Sequence, residues 1–337
     1  MTCGTRAAYV LVPTFMGMQV IEARGLRKVY ADTTAVDDVD LTVGPGEVVA
    51  VLGPNGAGKT TTIELLLGLR RPTGGTVRVF GQPPEHPAVR ARVGAMLQDS
   101  DAPDSLTVRE LVDLVGHYHP WSLPVDEVLE RADLAGAARL RVGQLSGGRR
   151  QRLSFALAIV GDPDLLFLDE PTSALDVGAR QAFWVQMREL VGYGKTVLFS
   201  THQLHEADQH ADRVVLVHRG RVVVDGPPAQ VRATVGGSTV RLRTDAPAGW
   251  VEAMPEVRHV AVEAVAGPGS DGLARLVVRA TTAEPVLARV FSGGYAVAGL
   301  TVAEASLEEA FLHLTGDDEP GDQPVAAAAS RETGVSA

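Results

Sequence analysis

Three short stretches of the sequence carry residue types suited to handling phosphate. Gly53, Pro54, Asn55, Gly56, Ala57, Gly58, Lys59 and Thr60 fit the pattern G-x-x-x-x-G-K-[ST], and Thr61 continues it. Glycine at 53, 56 and 58 lets the backbone wrap phosphate oxygens with its N–H groups, because no side chain blocks the approach. Lys59 is then placed to reach the β- and γ-phosphates of a nucleotide, and the Thr60 hydroxyl to ligate Mg2+. In the second stretch, LLFLDEP, Asp169 and Glu170 stand directly after an apolar run. One carboxylate can hold Mg2+ through water while its neighbour, pointing elsewhere, orients the attacking water. Phosphoryl transfer needs positioning and charge compensation more than covalent chemistry, so two acids and a lysine form a minimal set.

The third stretch is LSGGRRQR, Leu145 to Arg152. Ser146, Gly147 and Gly148 open an expected helix with bare backbone N–H groups at its positive end, which is a second anion site in a chain with one phosphate loop. GYGKT, Gly192 to Thr196, imitates the first pattern but has Glu189 where its leading glycine would stand, and reads as a turn. HYH at 117–119 and the trio His202, His205 and His210 lack a further ligand in zinc spacing and read as helical surface. Arg149, Arg150 and Arg152 read as local ion-pairing residues.

These groups need strands to hold them. VVAVL (Val48 to Leu52), LLFL (Leu165 to Leu168) and TVLFS (Thr196 to Ser200) are continuous apolar runs, the pattern of parallel strands buried on both faces. Each ends in polar residues, so all three deliver chemistry to the carboxyl edge of one α/β sheet. Helical periodicity dominates from Thr107 to Val160, with Leu153, Ala156, Leu157 and Val160 on one face. Val214–Val217 and Val222–Val224 form an expected hairpin, and DGPPAQ followed by GGS at 236–238 marks a boundary. Beyond it, strands and helices alternate as β-α-β-β-α-β, a small α+β unit. SLEEAFLHL follows as a final helix with a capping-box pair, Ser306 and Glu309. The expected organisation is an extension at 1–18, disordered or an over-extended start, an ATPase domain at 19–235, an accessory domain at 236–316 and a disordered tail at 317–337.

The 337 residues supply core for both units, and 45 % hydrophobic with 21 % charged residues is globular composition. The net charge of -10 argues against nucleic acid or anionic lipid as a main partner. Cys3 is the single cysteine, so no intrachain disulfide forms and a reducing compartment fits. No uninterrupted apolar run of about 18 residues is present to span a bilayer.

Taken in order, these motifs resemble those of the ATP-binding cassette (ABC) ATPases, over roughly Val20 to Gly236. The resemblance implies a P-loop fold with a parallel sheet core, an antiparallel β-subdomain and a helical subdomain. It implies that Tyr30 stacks on adenine, that residues 53–61 bind ATP, and that Gln98 contacts Mg2+ and water and couples to a membrane partner. It further implies Glu170 as the catalytic carboxylate, His202 as the switch histidine sensing the γ-phosphate, and Thr60, Gln98 and Asp169 as the Mg2+ set. In this family two cassettes pack head to tail. Ser146, Gly147 and Gly148 would therefore close over ATP on a neighbour, with Ser173, Ala174, Leu175 and Asp176 at the dimer contact. Arg149 stands where many members carry glutamine.

VAEASLEEAFLHLTG resembles the appended domain of bacterial drug- and antibiotic-export ATPases of the daunorubicin-resistance type. The implied function is the ATP-hydrolysing subunit of a two-component exporter of a drug, antibiotic or lipid-like substrate. Its partners would be a separate transmembrane permease and a second ATPase subunit, most simply a copy of itself, at the cytoplasmic face of the membrane. The competing readings are an importer ATPase and a non-transport ATPase acting on ribosomes or DNA.

Overall fold

The computed structural model describes residues 19–98, 102–235, 237–264, 272–304 and 306–315. The extension at 1–18, the tail at 317–337 and Gly236 of the expected boundary lie outside the described residues. The chain begins with β1 (Ile21–Tyr30), β2 (Thr33–Val43), β3 (Val48–Leu52), α1 (Lys59–Leu66), β4 (Gly74–Val79), α2 (Pro87–Arg90) and β5 (Val93–Met96). Next come α3 (Val108–Gly116), α4 (Val125–Arg131), α5 (Gly147–Ile159), β6 (Leu165–Asp169), α6 (Val177–Gly192), β7 (Thr196–Thr201) and α7 (Leu204–His210). The hairpin β8 (Arg213–His218) and β9 (Arg221–Gly226) is followed by α8 (Pro228–Val235). The final stretch is β10 (Ser238–Thr244), α9 (Ala248–Glu252), β11 (Val257–Ala264), β12 (Ala274–Ala280), α10 (Ala283–Ser292), β13 (Val297–Glu304) and α11 (Leu307–Thr315).

The central sheet runs β5-β6-β7-β3-β8-β9, parallel throughout except for the edge strand β9. Its apolar runs are two-sided. Val48, Ala50 and Leu52 pack into one core with the helices, while Val49 and Val51 pack into another beneath the antiparallel sheet β2-β1-β4. Every residue of β3, β6 and β7 is buried, so in these strands the sheet has no solvent face on which polar groups could sit. The helices α3 to α5 form the helical unit read from the periodicity; Leu153, Ala156 and Val160 point into its core. α3 starts with a capping box, Thr107 with Glu110, in which each side chain satisfies the other residue's backbone N–H.

An aromatic chain ties the helices to the sheet. Phe155 of α5 meets Phe183 of α6 edge-on at 5.2 Å, Phe183 meets Trp184 at 5.4 Å, and Trp184 meets Phe199 of β7 at 4.9 Å. Such contacts contribute about 0.5–1.5 kcal/mol each beyond the area they bury. On its other side Trp184 stacks on His210 of α7, with ring centroids 4.3 Å apart and planes 14° from parallel.

The C-terminal strands pair in the order β11-β12-β10-β13, all antiparallel, with Val251, Val286 and Val290 of the two helices packed on Val240, Leu242, Leu276 and Val278. The observed element order is the β-α-β-β-α-β read from the alternation. α11 is shared. Its Leu307 and Ala310 belong to the core of the helices and central sheet, while its Glu309 accepts from Thr239 Oγ1 of β10 at 3.0 Å. The Ser306–Glu309 box closes as expected, with Glu309 N–H donating to Ser306 Oγ at 3.1 Å and Ser306 N–H to Glu309 at 3.0 Å. Among the described residues no helix is long and apolar enough to cross a membrane.

His210 sets a pH dependence of stability. Burial, with Arg188 and His205 nearby, pushes its pKa from 6.5 down to about 4. The unfolded chain takes up that proton near 6.5 and the folded chain only near 4, so stability declines as pH falls through that window and is level above it. Melting curves between pH 7 and 4 are expected to show a smaller loss for His210→Phe, which keeps a stacking ring, than for the unaltered chain. Equal losses would assign the acid sensitivity to other groups.

Candidate functional site

The carboxyl ends of β3, β6 and β7 lie side by side, and the loops leaving them form one cluster. The loop from β3 enters α1 through Gly58, whose φ of 103° is left-handed. A Cβ at Gly58 would lie 2.2 Å from the Ala35 carbonyl oxygen of β2, so no other residue fits without moving that strand. The first turn of α1 carries no acidic side chain, which leaves its N-terminal N–H groups and dipole available to an anion.

Lys59 folds back over this loop, and its Nζ donates to the carbonyls of Gly53 at 2.8 Å and Pro54 at 3.2 Å. It is buried and lies 3.9 Å from Glu170 Oε1. Burial lowers its pKa, and the carboxylates of Glu170 and Asp169 oppose that shift. Thr60 Oγ1 donates to Asp169 Oδ2 at 2.9 Å, so the hydroxyl and the first carboxylate face each other across the loop. The other oxygen of Asp169 accepts from Ser200 Oγ at the end of β7.

Glu170 adopts a φ of 50°, unusual for a residue with a side chain. Four hydrogen bonds hold its backbone there. Its N–H donates to both the carbonyl and the hydroxyl of Ser200, at 3.2 and 3.1 Å. Its carbonyl accepts from Gln151 Nε2 at 3.0 Å and from Ser173 N–H at 3.3 Å. This local strain turns the carboxylate away from Asp169 and toward Lys59 and His202. His202 Nδ1 lies 2.8 Å from Glu170 Oε2, the histidine half exposed and the glutamate 7 % exposed. The pair thus bridges solvent and the buried lysine.

The structure therefore brings Lys59, Thr60, Asp169, Glu170 and His202 into one bonded group. Ala57 is buried, while Pro54, Asn55 and Gly56 line the exposed lip of the loop and Thr61 sits in the first turn of α1. Tyr30 lies outside the bonded group, at the tip of the β1–β2 hairpin, with Lys28 Nζ 5.0 Å and the Arg70 guanidinium 5.8 Å from its ring centre. Gln98 is exposed just beyond β5. Ser146 occupies the N-cap position of α5, but its hydroxyl makes no capping bond. Gly147 is exposed, and a Cβ at Gly148 would come within 3.3 Å of the Ala174 carbonyl, so the second anion stretch abuts the 173–176 turn. In that turn Ser173 and Ala174 are exposed, Leu175 is buried, and Asp176 caps α6 through Ala179 N–H at 2.8 Å. Arg149 is exposed. Arg150 lies 3.8 Å from Asp104 and Arg152 pairs with Asp133, the local ion pairing read from the sequence.

Two contributors escaped the sequence reading. Ser200 bonds both Asp169 and Glu170, and the available signal was a hydroxyl inside a buried run, which must find a partner. Gln151 joins α5 to the Glu170 carbonyl, a bond that only the fold reveals.

The ABC transporter family profile matches residues 36–173. The daunorubicin resistance ATP-binding protein DrrA3 of Streptomyces coeruleorubidus is 38 % identical over 318 residues, covering 90 % of this chain and 98 % of that protein. The Nod factor export ATP-binding protein I of Burkholderia lata is 35 % identical over 310 residues, covering 89 % of this chain and 98 % of its own length. Among solved structures, the ATP-binding subunit of an ABC transporter superposes with a TM-score of 0.60 at 29 % identity, over 64 % of this chain and 93 % of that one. A dimeric cassette in a post-hydrolysis state with ADP and Pi superposes with a TM-score of 0.58 at 26 % identity, over 61 % of this chain and 98 % of that one. Because Ala35 abuts Gly58, a Gly58→Ala chain is expected to bind a fluorescent ATP analogue about fivefold or more weakly, the equivalent of about 1–3 kcal/mol of backbone strain; unaltered affinity would mean the loop is not the phosphate cradle. With relatives this similar along nearly its whole length, the chain belongs to the ABC transporter family, as an ATP-binding subunit that hydrolyses ATP.

Proposed function

We propose that two copies of this chain hydrolyse ATP at shared interfaces and drive efflux of a drug, antibiotic or lipid-like compound through a separate membrane permease, docked at its cytoplasmic face. The observation that carries the hydrolytic part is the Glu170 carboxylate, held 2.8 Å from His202 and 3.9 Å from Lys59 by a backbone fixed in an unusual conformation. An anion so placed can accept a proton from water, and the adjacent histidine can report on the phosphate that water attacks. Lys59, now on the loop carbonyls, would turn its ammonium to the β- and γ-phosphates, with the loop N–H groups around them.

Thr60 Oγ1 and Asp169 Oδ2 suit Mg2+. Both are hard oxygen donors that face each other at 2.9 Å, so the hydroxyl would hold the ion directly and the carboxylate through water. When bound, the ion would neutralise charge on the phosphate oxygens, with Gln98 as a further contact. Tyr30 would take the adenine, in place of the cations now over its ring.

Ser146, Gly147 and Gly148 would close over ATP held by the neighbouring copy. The exposure of Ser146 and Gly147, the Ser146 hydroxyl that makes no capping bond and the adjoining 173–176 turn support this division of the site. The division into an ATPase domain at 19–235 and an accessory domain at 236–316 rests on the separate core formed by β10 to β13 with α9 and α10. Export as the direction of transport rests on the daunorubicin-resistance and Nod-factor-export relatives matching the accessory unit as well as the cassette.

Glu170→Gln is expected to bind ATP normally, to turn over slowly and to elute as a dimer from a sizing column run with ATP and Mg2+. Elution as a monomer would refute the shared site. Lys59→Ala should lower turnover by about 100-fold or more, since it removes the main counter-charge to the reacting phosphates. In cells lacking the chain, exporter function predicts increased drug sensitivity, whereas lost uptake of a nutrient would reverse the direction of transport.

A further inference from the structure

One carboxylate that hydrolysis does not use lies directly beneath the site. Glu206, in the first turn of α7, is 1 % exposed. Its Oε1 accepts from Thr172 Oγ1 at 2.6 Å and its Oε2 from Thr201 Oγ1 at 3.3 Å. Arg180 Nε of α6 stands 3.4 Å from the same Oε1. These partners are placed with respect to the reacting groups. Thr172 follows Glu170 and Pro171, Thr201 immediately precedes His202, and Arg180 Nη2 donates to the Leu175 carbonyl at 3.4 Å. Thr201 Oγ1 also accepts from Gln203 N–H at 3.0 Å, so the backbone on both sides of His202 is tied to this node.

A buried anion is costly unless paired and fully hydrogen-bonded, and well-packed apolar residues often serve stability as well or better. A carboxylate retained at this junction therefore calls for a role that packing alone does not supply. We propose that Glu206 is a positioning residue for ATP hydrolysis. It fixes the segments carrying Glu170 and His202 relative to each other. Through Arg180 it joins both to the 173–176 turn, where a second copy would press on closure. The inference rests on the assignment of Glu170 and His202 made above. Glu206 is buried and bonded to Thr172, Thr201 and Arg180, so it acts through the geometry of the pair.

The test is steady-state ATP hydrolysis by the full chain carrying Glu206→Gln, Thr172→Val or both, alongside Glu170→Gln. Thr172→Val keeps shape and removes a single hydrogen bond, which guards against a Glu206 variant that fails to fold. Both single variants are expected to lower kcat by about tenfold or more, the scale of a small misplacement of reacting groups. KM for ATP should stay within about twofold. The double variant should fall no further than the worse single one, as for two ends of one interaction. In the Glu170→Gln background, Glu206→Gln should still form the ATP-trapped dimer, because binding does not require the pair to be aligned. If Glu170→Gln stops turnover while both Glu206→Gln and Thr172→Val keep full kcat and only melt earlier, Glu206 is structural and the inference fails. The same holds if KM rises as kcat falls. If Glu170→Gln itself hydrolyses normally, the underlying assignment of the catalytic pair fails instead.

Discussion

A parallel strand covered on both faces has no place for a polar side chain except at its ends. In this chain β3, β6 and β7 are buried at every residue. Their alternate side chains feed two separate cores, one under the helices and one under the antiparallel sheet. The polar groups are thereby concentrated along one edge, where the glycine loop, the two carboxylates and the histidine meet within a few bonds. Specificity of fold and concentration of chemistry share one cause, the two-sided burial of the sheet.

That edge is a balance of opposed charges in a poorly hydrated place. Lys59 loses hydration and recovers attraction from Glu170 and Asp169; the first effect is the larger, since its pKa is lowered. Asp169 is held by two hydroxyls, Thr60 and Ser200, and not by a full counter-charge. Glu170 is shaped differently, by a strained backbone that four hydrogen bonds over-determine. Two adjacent acids thus acquire different partners, with no difference in their chemistry.

The parts legible in the sequence were those whose physics is local. The glycines of residues 53–58 with the lysine after them, the carboxylates after an apolar run and the capping box of α11 are each recognisable from neighbouring residues, although Thr60 and Lys59 meet Asp169 and Glu170 only in the fold. The β-α-β-β-α-β order was legible for the same reason, as alternation and helical period. What stayed hidden was long-range pairing among buried polar groups. Ser200 reaches Asp169 across 31 residues, Thr172 reaches Glu206 across 34, and Gln151 reaches Glu170 across 19. In sequence, Ser200 and Glu206 look like ordinary strand-end and helix residues; their partners become visible only when β6, β7 and α7 are brought together. The sharing of α11 was hidden likewise, since its amphipathic pattern states that it packs but not on what.

Because Leu307 and Ala310 complete the core of the helices and central sheet, the order of synthesis matters. Between the end of α8 and the start of α11 lie about 70 residues, which a ribosome making roughly 5–20 residues per second needs several seconds to deliver. During that interval the face of α7 and α8 awaiting α11 is uncovered, although every strand of the central sheet has already been synthesised. The accessory strands are made in the meantime, and β10 among them carries the Thr239 hydroxyl that Glu309 meets. α11 thus closes two units at once, and a nascent chain stalled before residue 307 would carry residues 53–60 on an unfinished core.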